Sequence, residues 1–94
     1  MAITGMTGAV YVSDVNTAPV SFNNESCSAV DAQRKRYHID DPDLMYWDPT
    51  YPVLVEVNDS PVSTGFTLEH AGGYIVFNSA LDAGDTVTVS GQAL

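Results

Sequence analysis

The sequence predicts an all-β protein: a small antiparallel β sandwich or flattened barrel, with at most one short helix. Short runs of β-branched and aromatic residues recur along the second half of the chain, at the roughly 8–12-residue spacing that is typical of sandwiches and barrels. Glycine, proline and asparagine separate these runs. No segment keeps apolar residues at helical spacing over three turns. Together these observations favour strands over helices.

From residue 52 onward the chain predicts a meander of about four strands. Val53, Val55 and Val57 alternate with Leu54 and Glu56, as in a strand with one buried face. The next strands follow the same alternation, with two turns between them. The expected strands cover residues 52–57, 62–70, 74–77 and 86–90, and the turns lie at 58–61 and 71–73.

The first half of the chain carries weaker signals. Residues 9–12 and 37–39 predict short strands, and residues 44–47 predict either a helical turn or a short strand. Residues 22–32 have the composition of a short helix, for which Asn23 or Asn24 would be the N-cap. Residues 1–8 are expected to form a flexible arm that becomes ordered on a neighbouring molecule.

Length and charge limit the functional classes. The 94 residues predict a single domain, residues 1–94. The formal net charge of −9 argues against nucleic-acid binding, because contacts to phosphates require clustered cations. The one basic cluster, residues 34–36, is expected to be a solvated strand end or to pair with nearby carboxylates. We expect no membrane partner and no signal peptide, because no basic leader precedes a long apolar run.

Residues able to carry chemistry occur without a catalytic pattern. Cys27 is the one cysteine, so it has no disulfide partner within the chain. His38 and His70 would join it in a zinc site only if folding happened to bring all three together. Four carboxylates, Asp40, Asp41, Asp43 and Asp48, lack the spacing of a calcium loop, and we expect them to cap turns or to pair with residues 34–36. We therefore expect no catalytic residue, metal or cofactor.

An aromatic cluster between prolines leaves two interpretations open. Tyr46, Trp47 and Tyr51 would form a stacking platform for sugar rings if all three were exposed. Alternatively, Trp47 fills the core of a small β domain, which is the interpretation that we favour because tryptophan is usually largely buried.

A further pattern runs through most of the chain, and its most distinctive element is Trp47-Asp48-Pro49. The residues that carry this pattern are 5–12, 36–40, 46–49, 52–58, 64–68, 72–77 and 84–91. In this pattern the chain resembles structural proteins of tailed-bacteriophage virions, in particular the N-terminal β domain of siphophage tail-tube proteins. The similar tail-tube proteins continue into a second half that helps to close a ring of subunits, whereas this chain ends at Leu94.

The resemblance implies a non-catalytic virion protein of the tail or head that acts by subunit assembly, after synthesis in the host bacterial cytoplasm. Its partners would be other virion subunits, with a homo-oligomer expected and no small-molecule substrate. A capsid decoration protein and a small carbohydrate- or surface-binding module are the alternatives, and a hydrolase using aspartate and histidine is a third. The expected contacts are the arm at 1–8, the edge strands and the loop at 40–51. The candidate interaction residues are Tyr46, Trp47, Asp48, Tyr51, Arg34 and Arg36.

Overall fold

A computed structural model describes residues 19–94, which form seven antiparallel strands. The strands are β1 (Val20–Ala29), β2 (Arg36–Ile39), β3 (Leu54–Val57), β4 (Ser60–Val62), β5 (Phe66–Glu69), β6 (Tyr74–Phe77) and β7 (Val87–Ala93). One short 3-10 helix, Pro42–Leu44, lies between β2 and β3. The all-β prediction is confirmed. Within residues 19–94, no helix has the length and apolar character needed to cross a membrane.

The seven strands form one sheet that curls into a half-barrel, in the order β4-β3-β7-β1-β2-β6-β5. β4 and β5 occupy the two ends of this order, yet only residues 63–65 connect them. Four Cα–Cα steps span at most about 14 Å. The two edges of the sheet must therefore approach each other, and the sheet cannot be flat.

The concave inner face of the sheet holds the core. Along β7, every second residue from Val87 to Ala93 is buried, whereas the residues between them are half-buried on the outer face. The prediction that Val87 and Val89 are core residues is confirmed. The buried apolar residues are Phe22, Tyr37, Ile39, Trp47, Val55, Ile75, Phe77, Val87, Val89 and Ala93.

Trp47 fills the end of the half-barrel where β7 finishes. Its side chain is 1% exposed, and its ring lies 6.2 Å from that of Phe22 between centroids. The indole N–H donates to the carbonyl of Leu44 at 2.7 Å, so this buried polar group is satisfied. The backbone N–H donates to His70 at 2.8 Å, and the residue forms an antiparallel bridge with Ala93. The core interpretation of Trp47 is therefore confirmed.

The helix expected in residues 22–32 is wrong, because residues 22–29 belong to the ten-residue strand β1 and residues 30–32 follow it outside any helix. β1 pairs with both β7 and β2, and these two ladders override a weak local preference for helix. Asn24 is not an N-cap but lies in a bulge, at φ 53°. The Ser90 hydroxyl accepts from the N–H of Asn24 and donates to the amide oxygen of Asn23, both at 3.0 Å.

The predicted meander corresponds to two hairpins, β3–β4 and β5–β6, rather than one continuous meander. Asn58 and Asp59 form the first turn with φ of 53° and 64°, as a two-residue hairpin with primed geometry requires. Pro61 therefore lies in β4 instead of the turn. The single return strand expected at 62–70 is interrupted at 63–65, where Gly65 has φ +88°.

Two further predicted strands are present in the structure, and the elements predicted before residue 19 lie outside it. The predicted strands at 37–39 and 74–77 are confirmed as β2 and β6. In the segment 44–47, Leu44 ends the 3-10 helix and Trp47 forms the bridge to Ala93, so both local geometries that we expected occur there. The strand predicted at 9–12 and the arm predicted at 1–8 lie outside the described residues.

Polar side chains tie the β3–β4 turn to the start of β7. The Asn58 side chain accepts from the N–H of Thr86 and donates to the carboxylate of Asp85 at 2.9 Å. The backbone N–H of Asp82 donates to the same carboxylate at 2.9 Å. These two donors, the Asn58 side chain first, lower the pKa of Asp85.

We expect Trp47→Ala to reduce the free energy of unfolding by about 3–5 kcal/mol, because the substitution leaves a cavity in a core of few residues. Urea denaturation followed by circular dichroism measures the change. Tyr46→Ala is the matched control: this neighbouring ring is 55% exposed, so its loss should change stability by no more than about 0.5 kcal/mol. Equal effects of the two substitutions would contradict the assignment of Trp47 as the core residue.

The lowered pKa of Asp85 predicts a dependence of stability on acid. Ionised Asp85 stabilises the folded state above the unfolded pKa of about 3.9, and this contribution is lost as the pH falls through the lower folded pKa. Asp85→Asn removes the titration. The difference in urea midpoint between wild type and variant should therefore be largest near pH 6 and shrink towards pH 2. A difference that stays constant over this range would show that Asp85 does not contribute in this way.

Candidate functional site

Exposed apolar side chains gather at the end of the half-barrel where β1 begins and β7 finishes. Six large apolar side chains are exposed in residues 19–94, and five of them belong to this end, with Val30 at the far end of β1 as the exception. We call the five the apolar end: Val20, Tyr46, Tyr51, Leu54 and Leu94.

Backbone pairing holds the apolar end together. Val20 pairs with Ala93, the residue before Leu94. The N–H of Leu94 donates to the carbonyl of Tyr46 at 2.7 Å. Leu54 pairs with Ser90 on the outer face of the sheet. Three segments that are distant in the sequence, 20–23, 46–54 and 90–94, therefore meet at one place.

A shallow groove of about 330 Å³ runs along the apolar end. Its walls carry no charged side chain, in a protein with a formal net charge of −9. Tyr51, which is 41% exposed, and Leu54 supply apolar surface on one side. The lining residues are Ser21, Phe22, Asn23, Tyr51, Pro52, Leu54, Ser90 and Gly91.

Four of the six predicted interaction residues belong to the segment that crosses this end. Tyr46 and Tyr51 are exposed there, whereas Trp47 is buried, so the three rings do not form a stacking platform. Asp48 closes a turn: its carboxylate accepts from the hydroxyl and the backbone N–H of Thr50 at 2.7 and 2.9 Å. The hydroxyl, followed by the N–H, lowers the pKa of Asp48.

The other two predicted residues lie elsewhere. Arg34 follows β1 at the opposite end of the sheet, where its Nε donates to the carbonyl of Leu81 at 2.9 Å. Arg36 forms a two-pronged ion pair with Glu69, with N–O distances of 3.0 and 2.6 Å, and lies 4.1 Å from the centroid of the Tyr74 ring. Arg36 therefore pairs with a carboxylate, but with Glu69 of β5 rather than with one of residues 40–48, because β6 pairs with both β2 and β5 and brings the two side chains together on the outer face.

The carboxylates of residues 40–48 act mainly in local turns. Asp41 caps the 3-10 helix by accepting from the N–H of Asp43 at 2.9 Å, as expected. Asp40 accepts from the hydroxyl of Ser28 at 2.6 Å, which ties the loop to β1. Across residues 19–94, no three histidine, cysteine or acidic side chains are grouped closely enough to hold a metal ion.

Cys27 is half-buried on β1. Burial, followed by the negative charges of Asp40 and Glu25, raises the pKa of the thiol to about 12. A thiol with this pKa stays protonated at neutral pH, and the protonated form is a poor nucleophile. The environment of Cys27 therefore opposes a reactive role.

Sequence reasoning missed three members of the apolar end: Val20, Leu54 and Leu94. For Leu54 a signal existed, because the alternation placed it on the face opposite to Val53, Val55 and Val57. For Val20 and Leu94 there was none, because their proximity follows from the pairing of β1 with β7.

No protein-family model, curated protein or solved structure matches the chain. The apolar end and its groove are therefore interpreted from their own chemistry.

We expect Cys27 to react slowly with iodoacetamide at pH 8. A pKa of about 12 instead of 9.0 leaves about a thousandfold less thiolate, so alkylation of the folded protein should be at least about a hundredfold slower than in urea. Mass spectrometry over a time course measures both rates, and the unfolded chain serves as the control. Equal rates in the folded and unfolded states would contradict the shielded environment.

Proposed function

We propose that this protein is a non-catalytic structural subunit of a bacteriophage virion, in the tail or the head, and that its apolar end contacts other subunits. The observation that carries the proposal is the concentration of Val20, Tyr46, Tyr51, Leu54 and Leu94 at one end of the half-barrel. Exposed apolar side chains concentrated at one end of a small domain are typical of contact sites between proteins.

The charge distribution supports a protein contact at this end. Two copies, each with a formal charge of −9, repel each other over most of their surfaces. The groove walls at the apolar end are uncharged, so a contact there avoids direct repulsion and the desolvation of charges. Covering the apolar end would also stabilise a small domain, because binding to the folded state shifts the folding equilibrium towards it.

The ionisable residues of the site support a structural role in a second way. Asp41 and Asp48 hold turns through backbone and hydroxyl donors, and Cys27 is kept protonated. The partners of Asp41 and Asp48 fix the segment between β2 and β3, which crosses the apolar end. A tail subunit and a capsid decoration protein would both use the apolar end. The identity of the partner decides between these two roles.

The proposal predicts concentration-dependent self-association through the apolar end. Light scattering coupled to size exclusion should give wild-type masses that rise above the monomer mass of 10.0 kDa as concentration increases. The double substitution Tyr46→Ser and Leu54→Ser removes two exposed apolar side chains and should raise the association midpoint by about tenfold or more.

Val30→Ser is the matched control, because Val30 is 53% exposed but lies at the far end of β1. It should leave the association midpoint unchanged. Circular dichroism establishes that all variants are folded. A wild-type chain that remains a monomer at every concentration, or an equal shift in Val30→Ser, would overturn the proposal of subunit contact through the apolar end.

A further inference from the structure

The two edge strands of the sheet, β4 and β5, differ in the backbone hydrogen-bond donors that they present to a partner. Directly after β3, the N–H of Asn58 donates to the carbonyl of Thr86, the residue before β7. Because bonding alternates along an antiparallel ladder, Val55 and Val57 bond towards β4, where they pair with Val62 and Ser60. The residue of β4 that faces outward is therefore Pro61, which has no N–H to donate.

β5 presents the opposite case. The N–H of Asn78 donates to the carbonyl of Gly65 at 2.8 Å, so alternation directs Thr67 and Glu69 towards β6. The N–H and carbonyl groups of Phe66 and Leu68 consequently point to the open side of β5. Within residues 19–94, no other backbone group bonds the N–H of either residue. Two donors and two acceptors are thus available in register.

The topology explains why no strand within residues 19–94 pairs with this side of β5. Six antiparallel pairings separate β4 from β5 in the sheet order, so the two strands run in the same direction. Strands in parallel cannot pair directly across a three-residue connection. Residues 60–69 instead follow one path that pairs first with β3 and then with β6. β3 begins only at Leu54, and residues 51–53 lie outside the ladder, so they do not pair with β5.

We propose that β5 pairs antiparallel with β5 of a second copy of this chain, across a two-fold axis at Thr67. Phe66 of one copy would then exchange both backbone hydrogen bonds with Leu68 of the other, which uses every available group of the two strands. The inference rests on the proposed function, because it assigns a second contact surface to the same assembling subunit. Pro61 disfavours the head-to-tail alternative of β5 on β4, since β4 lacks an outward donor.

The side chains of β5 allow the two copies of the strand to approach closely in this antiparallel register. Thr67 would face its own copy on the outer face, and threonine pairs across strands are favourable. The half-buried Phe66 and Leu68 would meet on the inner face. Glu69, the one charged residue of β5, would lie opposite Gly65 rather than Glu69 of the other copy, and its charge is already matched by Arg36. The edge is therefore close to neutral on an acidic protein.

The test is a charge exchange at the two-fold axis, made in the full chain that also carries Tyr46→Ser and Leu54→Ser, so that the apolar end contributes little. Light scattering should show a dimer of twice the 10.0 kDa monomer. Thr67→Lys and Thr67→Glu each place like charges opposite one another, so each should weaken the dimer by about tenfold or more. An equimolar mixture of the two variants should recover the dimer, because opposite charges then face each other.

Ser26→Lys is the control, because Ser26 is exposed on the outer face of β1, three strands away from β5, and should leave the dimer intact. If the Tyr46→Ser and Leu54→Ser background is monomeric while wild type self-associates, the β5 inference is overturned and the apolar-end proposal remains. If wild type is also monomeric, both are overturned. Thr67 variants that stay dimeric, or a mixture that fails to recover the dimer, would also reject the two-fold pairing.

Discussion

The short connection between β4 and β5 is the constraint on which the rest of the structure depends. These strands stand at the two ends of a seven-stranded order, and three residues join them. In a flat sheet, six spacings of about 4.7–4.9 Å would place the two edge strands about 28 Å apart. This distance exceeds the reach of the connection between β4 and β5. The sheet must curl, and the curl creates an inner face that ten apolar residues fill.

Closure of the half-barrel then depends on Trp47. Its backbone links the end of β7 to His70, and its ring occupies the space that the curled sheet leaves at that end. The same segment leaves Tyr46 and Tyr51 on the outside. Burial of one aromatic ring and exposure of its neighbours are therefore two results of one backbone path, and the apolar end exists because this path crosses the opening.

Sequence patterns predicted the fold class and the core of β7 because alternation is local. Val87 and Val89 are two residues apart, and any strand places such residues on one face. The same reasoning failed for residues 22–32, where two ladders supplied by distant strands outweighed local preference. Sequence reasoning also identified Tyr46 and Tyr51 as candidate interaction residues. It placed Arg34 and Arg36 in the same candidate set, whereas the sheet places these two residues elsewhere.

By itself the sequence determined an acidic all-β domain with a buried tryptophan and turns held by aspartate and asparagine, because composition, alternation and capping act over a few residues. Only the tertiary structure decided the order of the strands and the curl of the sheet. It also decided the meeting of Val20, Leu54 and Leu94. Among residues 19–94, it decided the difference between the β4 edge, where Pro61 lacks a donor, and the β5 edge, which no described strand pairs with. Those features depend on which distant strands pair, and pairing is a property of the whole sheet that no local segment encodes.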